Sequence, residues 1–292
     1  MSRSHIVPSL VTVGVSVGIA AAVAWCAGDG AAVVFGLPVP AWCVALAFAV
    51  QWVAFVPAYL RQTEKFYDLT GSLTYISVTL FAVAASPPFD ARSLLLAFLV
   101  TLWAGRLGSF LFRRIRADGK DARFDAIKPS AWRFLVAWTL QGLWVFLTLC
   151  AALAAISTEE PAPLGLRDAV GLGVWLAGFA IEVTADRQKS AFRKRRPGHF
   201  IDEGLWAWSR HPNYFGEIVL WVGVAIIASS TLRGWQWVTL VSPVFVYVLL
   251  TRISGIPILE KRSDERWGDD PKYQAYKERT PVLAMKPPRG AG

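Results

Sequence analysis

Runs of about 20 apolar residues recur along this chain, and they leave few architectures open. Inside a bilayer the backbone N–H and C=O groups have no water to pair with, so only helices and closed barrels cross it. The runs here are continuous rather than alternating, which selects helices. Spans fall at roughly 6–28, 41–60, 71–86, 93–112, 131–156, 165–186, 213–230 and 235–254. The third is short and can extend back through Phe66 and Tyr67. The expected fold is all-α: a polytopic integral membrane bundle of about 7–8 transmembrane helices, forming one membrane domain over residues 1–292. Composition supports this class. The chain is 54% hydrophobic and only 17% charged, with a mean hydropathy of +0.42. An ordinary soluble domain is less apolar. The first run resembles a signal peptide in position, but no small-x-small cleavage site precedes polar sequence, so it is read as a retained helix.

Basic residues orient the spans. One set of loops and ends carries 25 of the 30 Lys and Arg residues: Arg3, Arg61 and Lys65, six from Arg113 to Lys128, seven from Arg187 to Arg210, and nine from Arg252 to Arg289. The opposite loops hold only Arg92, Arg167 and Arg233, beside Asp29, Asp90, Glu159, Glu160 and Asp168. The positive-inside rule then predicts that both termini are cytoplasmic. The same rule explains the net charge of +9 without a nucleic-acid partner. Cys26, Cys43 and Cys150 show neither paired nor metal-type spacing, so no disulfide framework and no metal site are expected. The oligomeric state is left open.

The polar residues of the spans concentrate in one stretch, Glu182 to Glu217. Glu182, Asp186 and Lys189 share a helical face. The basic cluster Arg193–Arg196 follows, and Pro197-Gly198 should end the helix. Pro212 suits the first turn of the next helix, which puts Asn213 and Glu217 one turn apart. A basic cytoplasmic loop accounts for the cations. It does not account for Glu182, Asn213 and Glu217, whose burial near lipid is costly without partners. Gln51, Arg106, Gln141 and Arg252 are further polar residues of the spans. Most of these groups map to one leaflet, which suggests a pocket open to the cytosol rather than a channel. Lys189, Arg210 and Arg252 suit phosphates, with Arg able to bind them bidentately. Asp186 and Glu217 offer acceptors for ribose and amide groups, and Trp206, Trp208 and Tyr214 offer stacking faces. His211 reads either as a brace for the helix start or as a cofactor contact. No GxGxxG follows a strand, so a dinucleotide would bind among helices.

The run GLWAWSRHPNYFGEIVLWVG (204–223) resembles the C-terminal signature of the steroid 5-alpha-reductase superfamily, in its bacterial DUF1295 branch. ADRQKSAFR, DLTGSLTYISVTL, LWAGRLGSFLFRRI and the tail SGIPILEKRSDERWGDDPKYQAYKERTPVL resemble the same branch, over about 67–283. RHPNYFGE by itself is also similar to sterol reductases and isoprenylcysteine carboxyl methyltransferases. The resemblance implies an NADPH site built by the C-terminal helices and loops. Asp186 falls at an acidic cofactor position, Asn213 and Glu217 match the Asn and Glu of N-(Y/F)-(L/F)-G-E, and Arg252 falls at a basic cofactor position. Arg106 matches a family arginine, and Trp103 replaces a tyrosine that meets substrate. The family's substrate-polarising Glu has no clear counterpart; Asp68 is the nearest acid. Glu260 and Tyr273-x-x-Tyr276 resemble the methyltransferase tail.

Three readings follow. The first is an NADPH-dependent membrane reductase of a lipophilic enone, steroid-like or isoprenoid, with cofactor contacts from Asp186, Lys189, Arg210, His211, Asn213, Tyr214, Glu217 and Arg252. Trp103 and Arg106 would meet substrate. Asp68, Tyr67 or Tyr75 would support the developing enolate oxygen. The second is methyl transfer from S-adenosylmethionine to a lipid or isoprenylcysteine. The third is a non-catalytic lipid-binding membrane protein.

Overall fold

The computed structural model describes residues 6–288 and is almost entirely helical. Ten α-helices follow in chain order: α1 (Ile6–Ala27), α2 (Val39–Leu60), α3 (Tyr67–Ala84), α4 (Ala91–Asp118), α5 (Ala131–Ile156), α6 (Leu166–Arg195), α7 (Pro212–Ala228), α8 (Val241–Val248), α9 (Ile256–Trp267) and α10 (Pro271–Arg279). The strands are two-residue pieces, β1 (Val33–Val34) and β2 (Leu37–Pro38), paired antiparallel. Six segments are long and apolar enough to cross a membrane: α1, α2, α4, α5, α6 and the stretch Gly234–Trp267. The expected third and seventh spans form as α3, with 18 residues, and α7, with 17. The eighth is not one regular helix. It runs as a 3-10 segment (Gly234–Leu240), α8, and a π turn (Leu249–Ile253). Mean hydropathy along this stretch gives no warning of such a change in winding.

The chain forms two compact units. Among the described residues the first comprises 6–168 and 227–242. Its axis is α5, whose residues from Leu143 to Ile156 are all buried apart from Trp144. A helix apolar all round belongs in such a place. Helices α1, α2, α3 and α4 pack against it. Gln51 is fully buried and donates to Thr74 Oγ1 at 2.8 Å, which offsets part of the cost of an amide in this core, while its Oε1 has no hydrogen-bond partner among the described residues. Arg92 and Asp168, expected in exposed loops, are instead buried as a pair. Arg92 Nε donates to Asp168 Oδ1 at 2.7 Å, and its other nitrogens reach the carbonyls of Ala162 and Pro163 at 2.9 Å. Full hydrogen bonding of both ions is what makes their burial tolerable.

Among the described residues the second unit comprises 169–226 and 243–288. Helices α6 and α7 meet in it backbone to backbone. A Cβ on Gly178 would lie 2.5 Å from Leu220 N, one on Gly216 2.6 Å from Glu182 N, and one on Gly223 2.6 Å from Trp175 N. Only glycine allows so close an approach, and small residues are the usual seam between helices in membranes. Gly178 meets the Gly216 carbonyl while Gly223 meets that of Gly171, so the two helices run antiparallel.

Candidate functional site

The glycine seam leads to the polar residues singled out above. Glu182, one turn beyond Gly178, is 2% exposed, and Asp186 follows at 6%. Asn213 Nδ2 donates to Asp186 Oδ1 at 3.3 Å, which links the end of α6 to the first turn of α7. Glu217 lies one turn further along α7 and is half-buried. Pro212 opens α7 as the sequence predicts. Helix α6 ends at Arg195, before Pro197-Gly198, and Gly198 takes a positive φ of 88°.

The intervening loop is held down by its own tryptophan. Trp206 donates from Nε1 to the Ala185 carbonyl at 3.0 Å and packs with Phe192 and Ile201. Lys189 Nζ sits 4.3 Å from its ring centroid. Trp206 is therefore core, not a free stacking face; Trp208, 40% exposed, remains open. Leu205 N donates to Gln188 Oε1 at 2.9 Å, and Gly204 at φ 61° leaves room for that side chain.

Glu260 of α9 completes the cluster. Its Oε2 pairs with Arg210 Nη1 at 2.6 Å, and its Oε1 meets His211 Nε2 at 2.8 Å. The Arg210 contact is electrostatic rather than an aligned hydrogen bond, since Nη1 and Nε are buried with no hydrogen-bond partner among the described residues. Burial lowers the His211 pKa, and the neighbouring Lys189 and Arg210 charges act the same way; together they outweigh the raising effect of Glu260. A neutral His211 that donates its Nε2 proton to Glu260 keeps a lone pair on Nδ1, and Nδ1 is also buried with no hydrogen-bond partner among the described residues. The His211 ring stacks on Tyr214 at 5.7 Å between centroids and 10° between planes. Arg252 lies exposed on the π turn. Such turns recur where a helix is locally re-aimed. Just beyond it, a Cβ on Gly255 would lie 2.8 Å from the Tyr214 ring.

The tail closes over this loop. Tyr276 donates its hydroxyl to the Trp206 carbonyl at 2.7 Å. Arg210 N donates to Pro281 O at 2.9 Å, Ser209 Oγ to Leu283 O at 2.9 Å, and Lys286 N to Trp208 O at 3.0 Å. Phe200, Trp267, Tyr273 and Tyr276 form an aromatic cluster beneath these bonds.

The remaining candidates belong to the first unit. Tyr67 is buried against Phe124 and Trp138 and donates its hydroxyl to the Ala137 carbonyl at 2.8 Å. Asp68, 25% exposed, lies 3.9 Å from Arg114. The Tyr75 ring meets Trp103 edge-on at 5.0 Å, and Arg106 sits 5.4 Å from the Phe110 ring. No group of three or more His, Cys, Asp or Glu residues suited to a metal occurs among the described residues.

Glu260 is the residue that sequence reasoning undervalued, because only the fold brings it 49 positions back to His211. The glycine seam was legible in principle, since Gly171 and Gly178, and Gly216 and Gly223, keep the same seven-residue spacing.

A family described as "Protein of unknown function (DUF1295)" matches residues 54–280. The chain belongs to the DUF1295 family. It is 25% identical over 220 residues to an uncharacterized protein of Schizosaccharomyces pombe, covering 64% of this chain and 62% of that one. It is 34% identical over 107 residues to the 3-oxo-5-alpha-steroid 4-dehydrogenase 1 of Bos taurus, covering 36% and 38%. Over 73 residues it is 34% identical to the steroid 5-alpha-reductase DET2 of Arabidopsis thaliana, covering 24% and 26%. The match thus spans under two thirds of each relative. No solved structure matches the chain.

Proposed function

We propose that this DUF1295 protein is an NADPH-dependent membrane reductase of a lipophilic enone. The observation that carries the reading is the pair of buried groups at the end of the glycine seam with no hydrogen-bond partner among the described residues, Arg210 Nε and His211 Nδ1, beside the Asp186–Asn213 hydrogen bond. The similarity of part of the chain to steroid reductases supports the same direction. The donor set fits a phosphorylated nucleotide. Arg210 brings charge-assisted donors, His211 Nδ1 an acceptor for a hydroxyl or amide proton, and Asp186 and Glu217 carboxylate acceptors. Lys189, Asn213, Tyr214 and Arg252 complete the proposed cofactor contacts.

Bound NADPH would supply hydride for the β-carbon of the conjugated double bond. The protein's part is to stabilise charge on the carbonyl oxygen as it develops there. Of the three candidates for that role, Tyr67 already spends its proton on Ala137, which leaves Asp68 and Tyr75 as the stronger ones. A protonated carboxyl in an apolar site can act as such a donor. Trp103 and Arg106 would meet the substrate. We place the basic loops, and both termini, on the cytoplasmic side of a bacterial inner membrane.

The test is thermal stabilisation of the detergent-solubilised full chain by NADPH, NADH and S-adenosylmethionine. At a hundredfold excess over Kd, NADPH should stabilise by about 2.7 kcal/mol. Glu217→Gln should weaken NADPH binding by about 1.5–3 kcal/mol while the unliganded protein melts normally. Stabilisation by S-adenosylmethionine alone would replace this reading with methyl transfer. No response to any of the three would leave a lipid-binding protein without this chemistry.

A further inference from the structure

The first unit contains a groove that the proposed reductase site does not use. Helix α1 packs on α5 through small residues, with Ser16, Ala20, Ala24 and Ala27 buried along one face. Toward the start of α1 the interface opens into a cavity of about 390 Å³, lined by Pro8 and Thr12 of α1, Ile127, and Arg133, Val136 and Leu140 of α5. That volume is in the range of small-ligand sites. Pro8 and Thr12 lie outside residues 54–280, so one wall comes from sequence that the family match does not cover.

Two observations define the occupant. The first is charge. Four cations around this end of the unit already have acidic partners: Lys128 pairs with Glu64 at 2.5 Å, Lys120 with Asp125 at 2.9 Å, Arg123 with Asp121 at 2.5 Å, and Arg114 lies 3.9 Å from Asp68. Arg133 is exposed and has no acidic partner among the described residues. It stands in the first turn of the 26-residue α5, where the helix dipole also favours an anion. The second is the character of the walls. Ile127, Val136 and Leu140 are apolar, and Val7, Leu10 and Val11 on the flank of α1 are 68%, 47% and 58% exposed. A free phosphate would find one guanidinium and nothing else. A molecule with an anionic head and a long apolar body matches both features.

We propose that the groove between α1 and α5 binds an anionic phospholipid, with its phosphate on Arg133 and an acyl chain between the two helices. One cation at a membrane surface favours an anionic lipid by about fivefold. The experiment uses the full chain in uncharged detergent, with lipid occupancy read by native mass spectrometry. The probes are phosphatidylglycerol, phosphatidylcholine with the same acyl chains, and glycerol 3-phosphate. Phosphatidylglycerol should bind about fivefold tighter than phosphatidylcholine, and glycerol 3-phosphate should not bind measurably. Arg133→Gln should abolish the preference, and Thr12→Trp, which fills the groove, should reduce occupancy by both lipids. Arg61→Gln, which removes an exposed charge elsewhere at this end, should leave the preference intact. Preference that survives Arg133→Gln, or that falls equally with Arg61→Gln, overturns the site. So does binding of glycerol 3-phosphate as tight as that of the lipid. Should Thr12→Trp fail to fold, the Arg133→Gln and Arg61→Gln pair decides, since each alters one exposed side chain.

Discussion

Gly216→Ala adds one methyl group where α6 and α7 meet backbone to backbone. The new Cβ would stand 2.6 Å from both Glu182 N and the Gly178 carbonyl, whereas ordinary contact begins at 3.4 Å. Both obstacles are backbone, so no side chain can swing aside, and the helices must separate locally by roughly 0.8 Å. Overpacking of this kind costs about 1–3 kcal/mol. One turn away, the Asn213–Asp186 hydrogen bond is already 3.3 Å long and will not survive that shift. Its loss adds about 0.5–1.5 kcal/mol. Denaturation in a mixed mild and anionic detergent should therefore show a loss of about 1.5–4.5 kcal/mol, with a weakened response to NADPH. Gly14→Ala is the control: it too adds a methyl to a membrane helix, but nothing lies within 4 Å of it. If Gly216→Ala unfolds at the same denaturant concentration as Gly14→Ala, the seam does not hold the polar residues in place.

Tyr67→Phe should cost about 0.5–1.5 kcal/mol of stability yet retain enone reduction, because its hydroxyl serves Ala137; Asp68→Asn should fold and lose turnover. Turnover that vanishes in Tyr67→Phe and persists in Asp68→Asn would reverse these roles. His211 makes stability pH-dependent. Burial holds its pKa below the ordinary 6.5, so its contribution is full above about pH 6.5 and is lost as the pH falls through the lowered folded value. Melting followed from about pH 7 down to about pH 5 should show this decline, and His211→Gln should flatten it; an unchanged slope in the variant would assign the effect elsewhere. Cysteines placed at the exposed positions Glu159 and Arg233, in a protein freed of its own Cys26, should react with an impermeant reagent in intact cells. Those at Lys194 and Lys272 should not react, and labelling at Lys194 would invert the orientation proposed from charge.

The sequence was most readable where one physical rule acted alone. Apolar length located the helices, Pro197-Gly198 ended α6, and Pro212 began α7. Helical spacing put Asp186 near the end of α6 and Asn213 in the first turn of α7, but the hydrogen bond between them is a contact that only the fold shows. It was least readable where a residue's partner is remote. Charge counting treated Arg92 and Asp168 as loop residues, although 76 positions apart they bury each other. Glu260 looked like part of a polar tail, and its role depends on α9 returning to Arg210 and His211. The π turn at Leu249–Ile253 lies in a run whose hydropathy is the same for any winding. Trp206 was misjudged for a simpler reason: an aromatic in a loop can face a ligand or the core, and composition does not separate the two.

The bonds from Pro281, Leu283 and Lys286 to the loop at Trp208–Arg210 also set a schedule for biosynthesis. Ser209 leaves the ribosome 74 residues before Leu283. At ordinary translation speeds that is roughly 4–15 s. For that interval the loop has been made but its covering segment has not, and Arg210 N and the Trp208 carbonyl must be served by water. A chain released before Pro281 would carry every residue of the proposed cofactor cluster and still leave the loop unfastened, as a target for cellular proteases.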